Sequence, residues 1–273
     1  MTSSRRTLAR VLGAGIVLVA LATTVLYGRH SWGKYHWART SNPFTLKLGD
    51  NVNAAWDEYL ITTSSDWSAS SVLDTTIVPG QGGASCSPTS GRVEVCNAAY
   101  GNNGWLGLAQ IWAFGTHITQ GLTKVNDTYF NTATYNTPAW RKLVMCQEVG
   151  HTFGLNHQDE NFNNANLGTC MDYTSDPGGP PSNEHPNAHD YDQLEKIYRH
   201  LDNTTTVGQT VNQHPPAMNG IDFEGPRQWG RLVARSHNGG TEVYELDFGG
   251  GHKVFTFVTW TLEERDRRNQ ALQ

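Results

Sequence analysis

Cys146-Gln147-Glu148-Val149-Gly150-His151-Thr152-Phe153-Gly154-Leu155-Asn156-His157 is the stretch whose reading decides the rest, and its skeleton is E-x-x-H-x-x-G-x-x-H. Just upstream, Thr137-Pro138 has the form of a helix start, a capping hydroxyl followed by a first-turn proline. Trp140, Leu143, Val144, Gln147 and His151 then recur at the spacing of one helix face. Gly154 ends the helix, because glycine accepts the φ > 0 that turns a chain back, and His157 returns from the far side. Gln147 and His151 therefore face one point, with Glu148 next to them. Two imidazoles and an amide oxygen are donors for a borderline divalent ion with one position left for water. Such an ion lowers the pKa of its water toward ~7, and Glu148 is placed to take the proton and pass it to a leaving amine.

Outward from this stretch, strands precede the helix. Pro43 to Leu48 alternates Phe44, Leu46 and Leu48, the pattern of a half-buried strand. Asp50 or Asn51 caps a helix running through Ser65, with Val52, Trp56, Tyr59 and Leu60 on one face. Further strands are expected at Val72–Val78, Arg92–Cys96, Trp105–Trp112 and His117–Phe130. A last helix starts at Asn187 or Asp190 and runs through Leu201. Beyond it, Gly240–Phe248 and Val254–Leu262, joined by Gly249-Gly250-Gly251, carry a hairpin signal. Strands with one early helix, then a long helix, give an α+β order rather than βαβ alternation. The expected architecture is a twisted mixed sheet with a long site helix and a C-terminal helix. The main domain spans 43–202, flanked by linkers at 29–42 and 203–219, and 220–273 forms a short β-hairpin extension packed on it.

The chain has 273 residues and can bury a sizeable core. Its 9 Trp and 16% charged residues exclude disorder, and a formal net charge of −5 without a basic face excludes nucleic acid as a partner. Arg5, Arg6 and Arg10 precede an uncharged run from Val11 to Gly28, so residues 1–28 read as a signal peptide or an N-terminal membrane anchor. The product is secreted or anchored at the cell surface, with the membrane touched only through that segment, and a monomer is expected. Four cysteines fit an oxidising compartment and allow three connectivities. The preferred one pairs Cys86 with Cys96 and Cys146 with Cys170. Asn126-Asp127-Thr128 and Asn203-Thr204-Thr205 match the glycosylation pattern.

The central stretch resembles the zinc signature of the metzincin peptidases, the matrixin and gametolysin-like kind, with Gln147 in place of the first His. Cys170-Met171-Asp172-Tyr173 is similar to their Met-turn, and the likeness covers about Pro43 to Leu201. The resemblance implies His151 and His157 as metal ligands with Gln147 in the third corner. It further implies Glu148 as general base, Met171 under the metal and Tyr173 as a stabiliser of the oxyanion. It also implies that Trp105–Trp112 is the edge strand above the cleft. Gly107, Leu108 and Ala109 would then pair with an extended peptide or protein substrate by strand addition. Zinc is the expected cofactor and copper the alternative; a calcium site at Asp159 and Glu160 is a weaker idea. A neutral amide oxygen binds zinc more weakly than imidazole, so Gln147 leaves three outcomes open: weaker zinc, another metal, or no activity. His185 and His189 are conceivable replacement ligands. The expected function is an exported metal-dependent endopeptidase. The alternative is an inactive binding module of the cell envelope that kept the fold.

Overall fold

Phe44, Leu46 and Leu48 are buried while Thr45 and Lys47 between them are exposed, and this alternation makes strand β2 (Phe44–Asn51). A computed structural model describes residues 30–162, 164–210, 215, 218, 225–236 and 239–271. Residues 1–28, expected from the sequence to be a signal peptide or anchor, lie outside the described residues, as does most of 211–224. Among the described residues the fold is α+β, a mixed sheet of nine strands with five helices.

Strands β2, β3 (Leu73–Pro79), β4 (Val93–Ala98) and β6 (His117–Asn126) run parallel in the order β3-β2-β4-β6. Strand β5 (Trp105–Phe114) turns back antiparallel on β6. Helix α1 (Asp57–Trp67) makes the crossover from β2 to β3 and packs against the long helix α3 (Pro138–His151). Asp50 and Asn51 do not cap α1. They extend β2, paired with Val95 and Cys96 of β4, and Trp56 stands at the helix N-cap without a side-chain cap. Ladder bonds on both sides of β2 outweigh a local cap at these two residues.

The run from His117 to Phe130 divides at Asn126. Its side chain accepts from the Thr128 amide and starts the short helix α2 (Asp127–Phe130). The Asn126 amide also donates to the Gly101 and Trp105 carbonyls, and the residue is fully buried, so it does not serve as a glycan acceptor. Helix α4 (Ala188–Ile197) has a full capping box from Asn187 and Asp190. It stops short of Leu201 because the buried Arg39 guanidinium takes the Tyr198 carbonyl at 2.6 Å and also binds that of His200.

Residues 30–42 are packed rather than a free linker. Strand β1 (His36–Trp37) pairs parallel with β6, and the Trp37 indole donates to the Thr152 carbonyl at 2.9 Å. Across the chain, the glycine turn opens between β8 (Thr241–Asp247) and β9 (His252–Trp260), with all three glycines at positive φ. The hairpin is not a separate layer. Strand β9 pairs antiparallel with β5 from Trp105 to Phe114, and β8 and β7 (Arg231–Arg235) continue the same sheet. Helix α5 (Leu262–Gln270), which periodicity did not reveal, follows β9 with Thr261 as its cap. On β8, the fully buried Glu242 carboxylate accepts from Arg235 at 2.7 Å, Arg268 at 2.8 Å and the Trp260 indole at 3.2 Å.

Gly154 closes α3 at φ +90°, and a Cβ there would lie 2.3 Å from the Tyr35 carbonyl oxygen. Both strain and clash oppose any side chain. Gly154→Ala is expected to cost at least ~2 kcal/mol, read as a lower denaturation midpoint in urea. An unchanged midpoint would show that residues 30–35 do not grip this turn.

Candidate functional site

Helix α3 begins where the sequence places it, with the Thr137 hydroxyl accepting from the Trp140 amide at 3.2 Å. Leu143 to His151 are all buried against the sheet and α1. The Cys146–Cys170 disulfide ties the helix to the turn that carries Met171, and Cys86–Cys96 closes a surface loop. Met171 lies under α3: a Cβ on Gly150 would sit 2.7 Å from its sulfur. Behind Gly154 the chain is clipped to the N-terminal segment, with Trp32 donating to the Gly154 carbonyl and Asn156 to that of His30.

This geometry brings His151 and His157 together. Their Nε2 atoms are 3.2 Å apart, and His151 Nδ1 donates to the Leu155 carbonyl at 3.0 Å. A carbonyl only accepts, so neutral His151 carries its proton on Nδ1 and turns an Nε2 lone pair toward His157. Burial lowers the pKa of His151 to about 4 and holds that of His157 well below the ordinary range. With His151 Nε2 as acceptor, this contact is a hydrogen bond donated by neutral His157 Nε2–H; in the other His157 tautomer the two rings would offer a cation two lone pairs.

The third corner is filled differently. The Gln147 amide oxygen accepts from the Thr259 hydroxyl at 2.9 Å, while its nitrogen donates to the carbonyls of Cys170 at 2.8 Å and Asp172 at 3.4 Å. Both ends of the amide are engaged, and Gln147 clamps α3 to the Met171 turn and to β9. The donors present thus fit an ion through His151 and His157 but not through Gln147. The other proposed donors are elsewhere: His185 pairs with Asp66 at 2.7 Å, and His189 stacks on His30. Asp159 accepts from the Asn161 amide at 2.8 Å.

Glu148 is fully buried beneath β5, and neither carboxylate oxygen has a hydrogen-bond partner. Burial pushes its pKa up to about 8; the Thr259 hydroxyl nearby works against that shift, although its proton goes to Gln147. Gly107 makes room for this side chain, since a Cβ there would lie 2.6 Å from Glu148 Oε1.

The strand carrying Gly107, Leu108 and Ala109 is not an edge. Thr259, Val258 and Phe257 of β9 stand opposite those three residues, so a peptide cannot add there while β9 is in place. Phe257 also stacks flat on the His151 ring, with centroids 4.5 Å apart. Tyr173 sits beside His157 but is buried, its ring against Gly240, where a Cβ would approach to 2.2 Å. Burial raises its pKa well above the ordinary range, with Ser236 and Thr241 of the C-terminal segment close to its hydroxyl. The cavity left between Gln147, Tyr173 and Thr259 has a volume of about 20 Å³, room for roughly one water. Thr259 and Phe257 are site residues that no local motif announced; a Thr and a Phe in a strand look like ordinary sheet composition.

No protein-family model matches the chain, and no curated protein matches its sequence. The two disulfides suggest an extracytoplasmic location. No helix among the described residues is long and apolar enough to cross a membrane.

The folded state holds a proton on Glu148 up to pH about 8, whereas an unfolded glutamate releases it near ~4.3. Between those values the unfolded state binds fewer protons, so this group's contribution to stability falls as pH rises and levels off above about 8. Glu148→Gln is therefore expected to raise Tm at pH 8 by more than at pH 4.5. Equal shifts at both pH values in a calorimetric series would mean that the carboxylate is hydrated or paired.

Proposed function

We propose that the chain is an extracytoplasmic peptide hydrolase of metzincin type whose centre is held closed by its own C-terminal strands. The observation that carries this reading is a buried glutamate without a partner, one residue from a helix face that ends in two converging imidazoles. An unpaired buried carboxylate is costly to keep, and perturbed acids of this kind concentrate at reactive centres. A divalent ion between His151 and His157 would supply Lewis acidity and a more acidic water. The chain's own part is distinct. Glu148 accepts and returns a proton; burial alone keeps it protonated below pH about 8, and a cation beside it would lower that pKa toward the range a base needs at neutral pH. The β5 backbone orients an extended chain once β9 has left it. In the closed state β9 occupies that groove in the substrate's place, which supports a latent form rather than an open one.

One observation favours a second reading, a metal-binding module without turnover. The Gln147 oxygen is satisfied by Thr259, so the third donor is withdrawn as long as β9 stays. Release of β9 separates the two readings.

The full chain, incubated with Zn²⁺ and a quenched fluorescent peptide library, is the test. Thr259→Val frees the Gln147 oxygen and removes a hydrogen bond to β9 without changing shape, and is expected to raise turnover above that of the parent chain. Adding Glu148→Gln to it is expected to lower kcat/KM by ~10²–10⁴. Hydrolysis unaffected by Glu148→Gln would discard the peptidase reading. Zinc that is lost on replacing His151 and His157 by Ala, with no turnover in the parent or in Thr259→Val, would establish the binding module.

A further inference from the structure

At the end of the sheet away from Glu148, side chains from three distant parts of the chain meet. Strand β1 lies beside β6 with His36 and His117 as register partners. The segment after α4 returns to the same corner and delivers His200 and Asp202. Asp202 Oδ1 lies 3.4 Å from His36 Nε2, 3.4 Å from His117 Nε2 and 3.6 Å from His200 Nε2. His36 Nε2 and His200 Nε2 are 3.1 Å apart. The donor atoms of His36, His200 and Asp202 all fall within 4.8 Å of one another. An ion with four donors at ~2.0–2.1 Å in a tetrahedron spaces those donors about 3.4 Å apart, and the distances in this cluster, 3.1 to 3.6 Å, bracket that spacing.

The surroundings fix the donors in the form an ion needs. His36 Nδ1 donates to the Lys34 carbonyl at 2.8 Å. In neutral His36 this leaves an Nε2 lone pair facing a carboxylate oxygen, two acceptors that repel unless a cation lies between them. Arg39 grips the other oxygen of Asp202, by its guanidinium at 2.9 Å and its amide at 3.2 Å, and so aims Oδ1 at the imidazoles. Such outer contacts are what orient metal ligands. A cavity of about 410 Å³ has His36 and His200 on its wall together with Tyr35 and Thr116, and gives an ion a way in.

We propose that His36, His200 and Asp202 bind a divalent transition ion, zinc by the chemistry of the donor set, with His117 as the nearest fourth donor. Two or three imidazole nitrogens and one carboxylate select zinc over calcium or magnesium, which take oxygen. The ion would tie residues 36–39 to 200–202 and serve as a structural clasp. It does not depend on the peptidase reading.

The test separates this site from the central one. The full chain carrying His151→Ala and His157→Ala is stripped with chelator, reloaded with Zn²⁺ and desalted, and is expected to retain about one zinc per chain. Adding His200→Ala, a substitution at a half-exposed ring, is expected to weaken zinc by more than the ~100-fold that losing an outer partner costs. It should also abolish the Zn²⁺-dependent rise in Tm. Co²⁺ in the same background should give the visible absorption of a tetrahedral site and lose it with His200→Ala. Zinc content and Co²⁺ spectrum unchanged by His200→Ala would overturn the proposal. So would a chain that takes up no zinc once His151 and His157 are replaced.

Discussion

The ladder between β5 and β9 is the interaction on which the other features rest. Strand β5 is buried along nearly all its length, and without β9 one full row of its amides and carbonyls would lie open. Satisfying that row draws Phe257, Val258 and Thr259 across Gly107 to Ala109. From this one pairing follow the stacked ring on His151, the engaged amide of Gln147 and the loss of water from Glu148. Nothing in α3 itself requires a closed centre. The closure is imposed from the neighbouring strand.

The charges of the interior make Glu148 stand apart. Glu94 is fully buried but paired with Arg92, Glu242 is paired with two arginines, and Asp202 is held by Arg39. Each of these carboxylates has a cation within reach, as the low dielectric of a core demands. Glu148 has none. Asp172 and Asp190 are also buried without an arginine or lysine, but each keeps hydrogen bonds on one carboxylate oxygen; both oxygens of Glu148 are bare, and they are so beside the pair of imidazoles.

Local signals made α3 legible in the sequence: a capping threonine, a first-turn proline, a periodic face and a glycine stop. The disulfide pairing and the glycine hairpin were legible for the same reason, since short segments carry them. What local patterns cannot express is which strand covers which edge. Trp105 to Trp112 has the composition of an edge or of a centre, and β9, far along the chain, decides between them. Gln147 follows the same logic. Its position on the helix is written in the spacing, but the partner that turns its oxygen away is Thr259. His36, His117, His200 and Asp202 share no motif at all, and only the return of the chain after α4 and the β1–β6 register assembles them. Asn126 shows the reverse error, a surface motif carried by a residue whose amide is consumed inside the fold.

Glu242 lends the C-terminal strands a mechanical character. Its carboxylate joins Arg235 from β7, Trp260 from β9 and Arg268 from α5 at one buried point on β8. Peeling β9 alone from β5 would strip a partner from a charge that water cannot reach, and a one-residue slip of β8 would turn that charge to the opposite face. Fraying residue by residue is therefore disfavoured. On the proposed reading, the three strands and their helix would leave β5 as one unit, which favours a sharp transition between covered and uncovered over a graded breathing of the cleft.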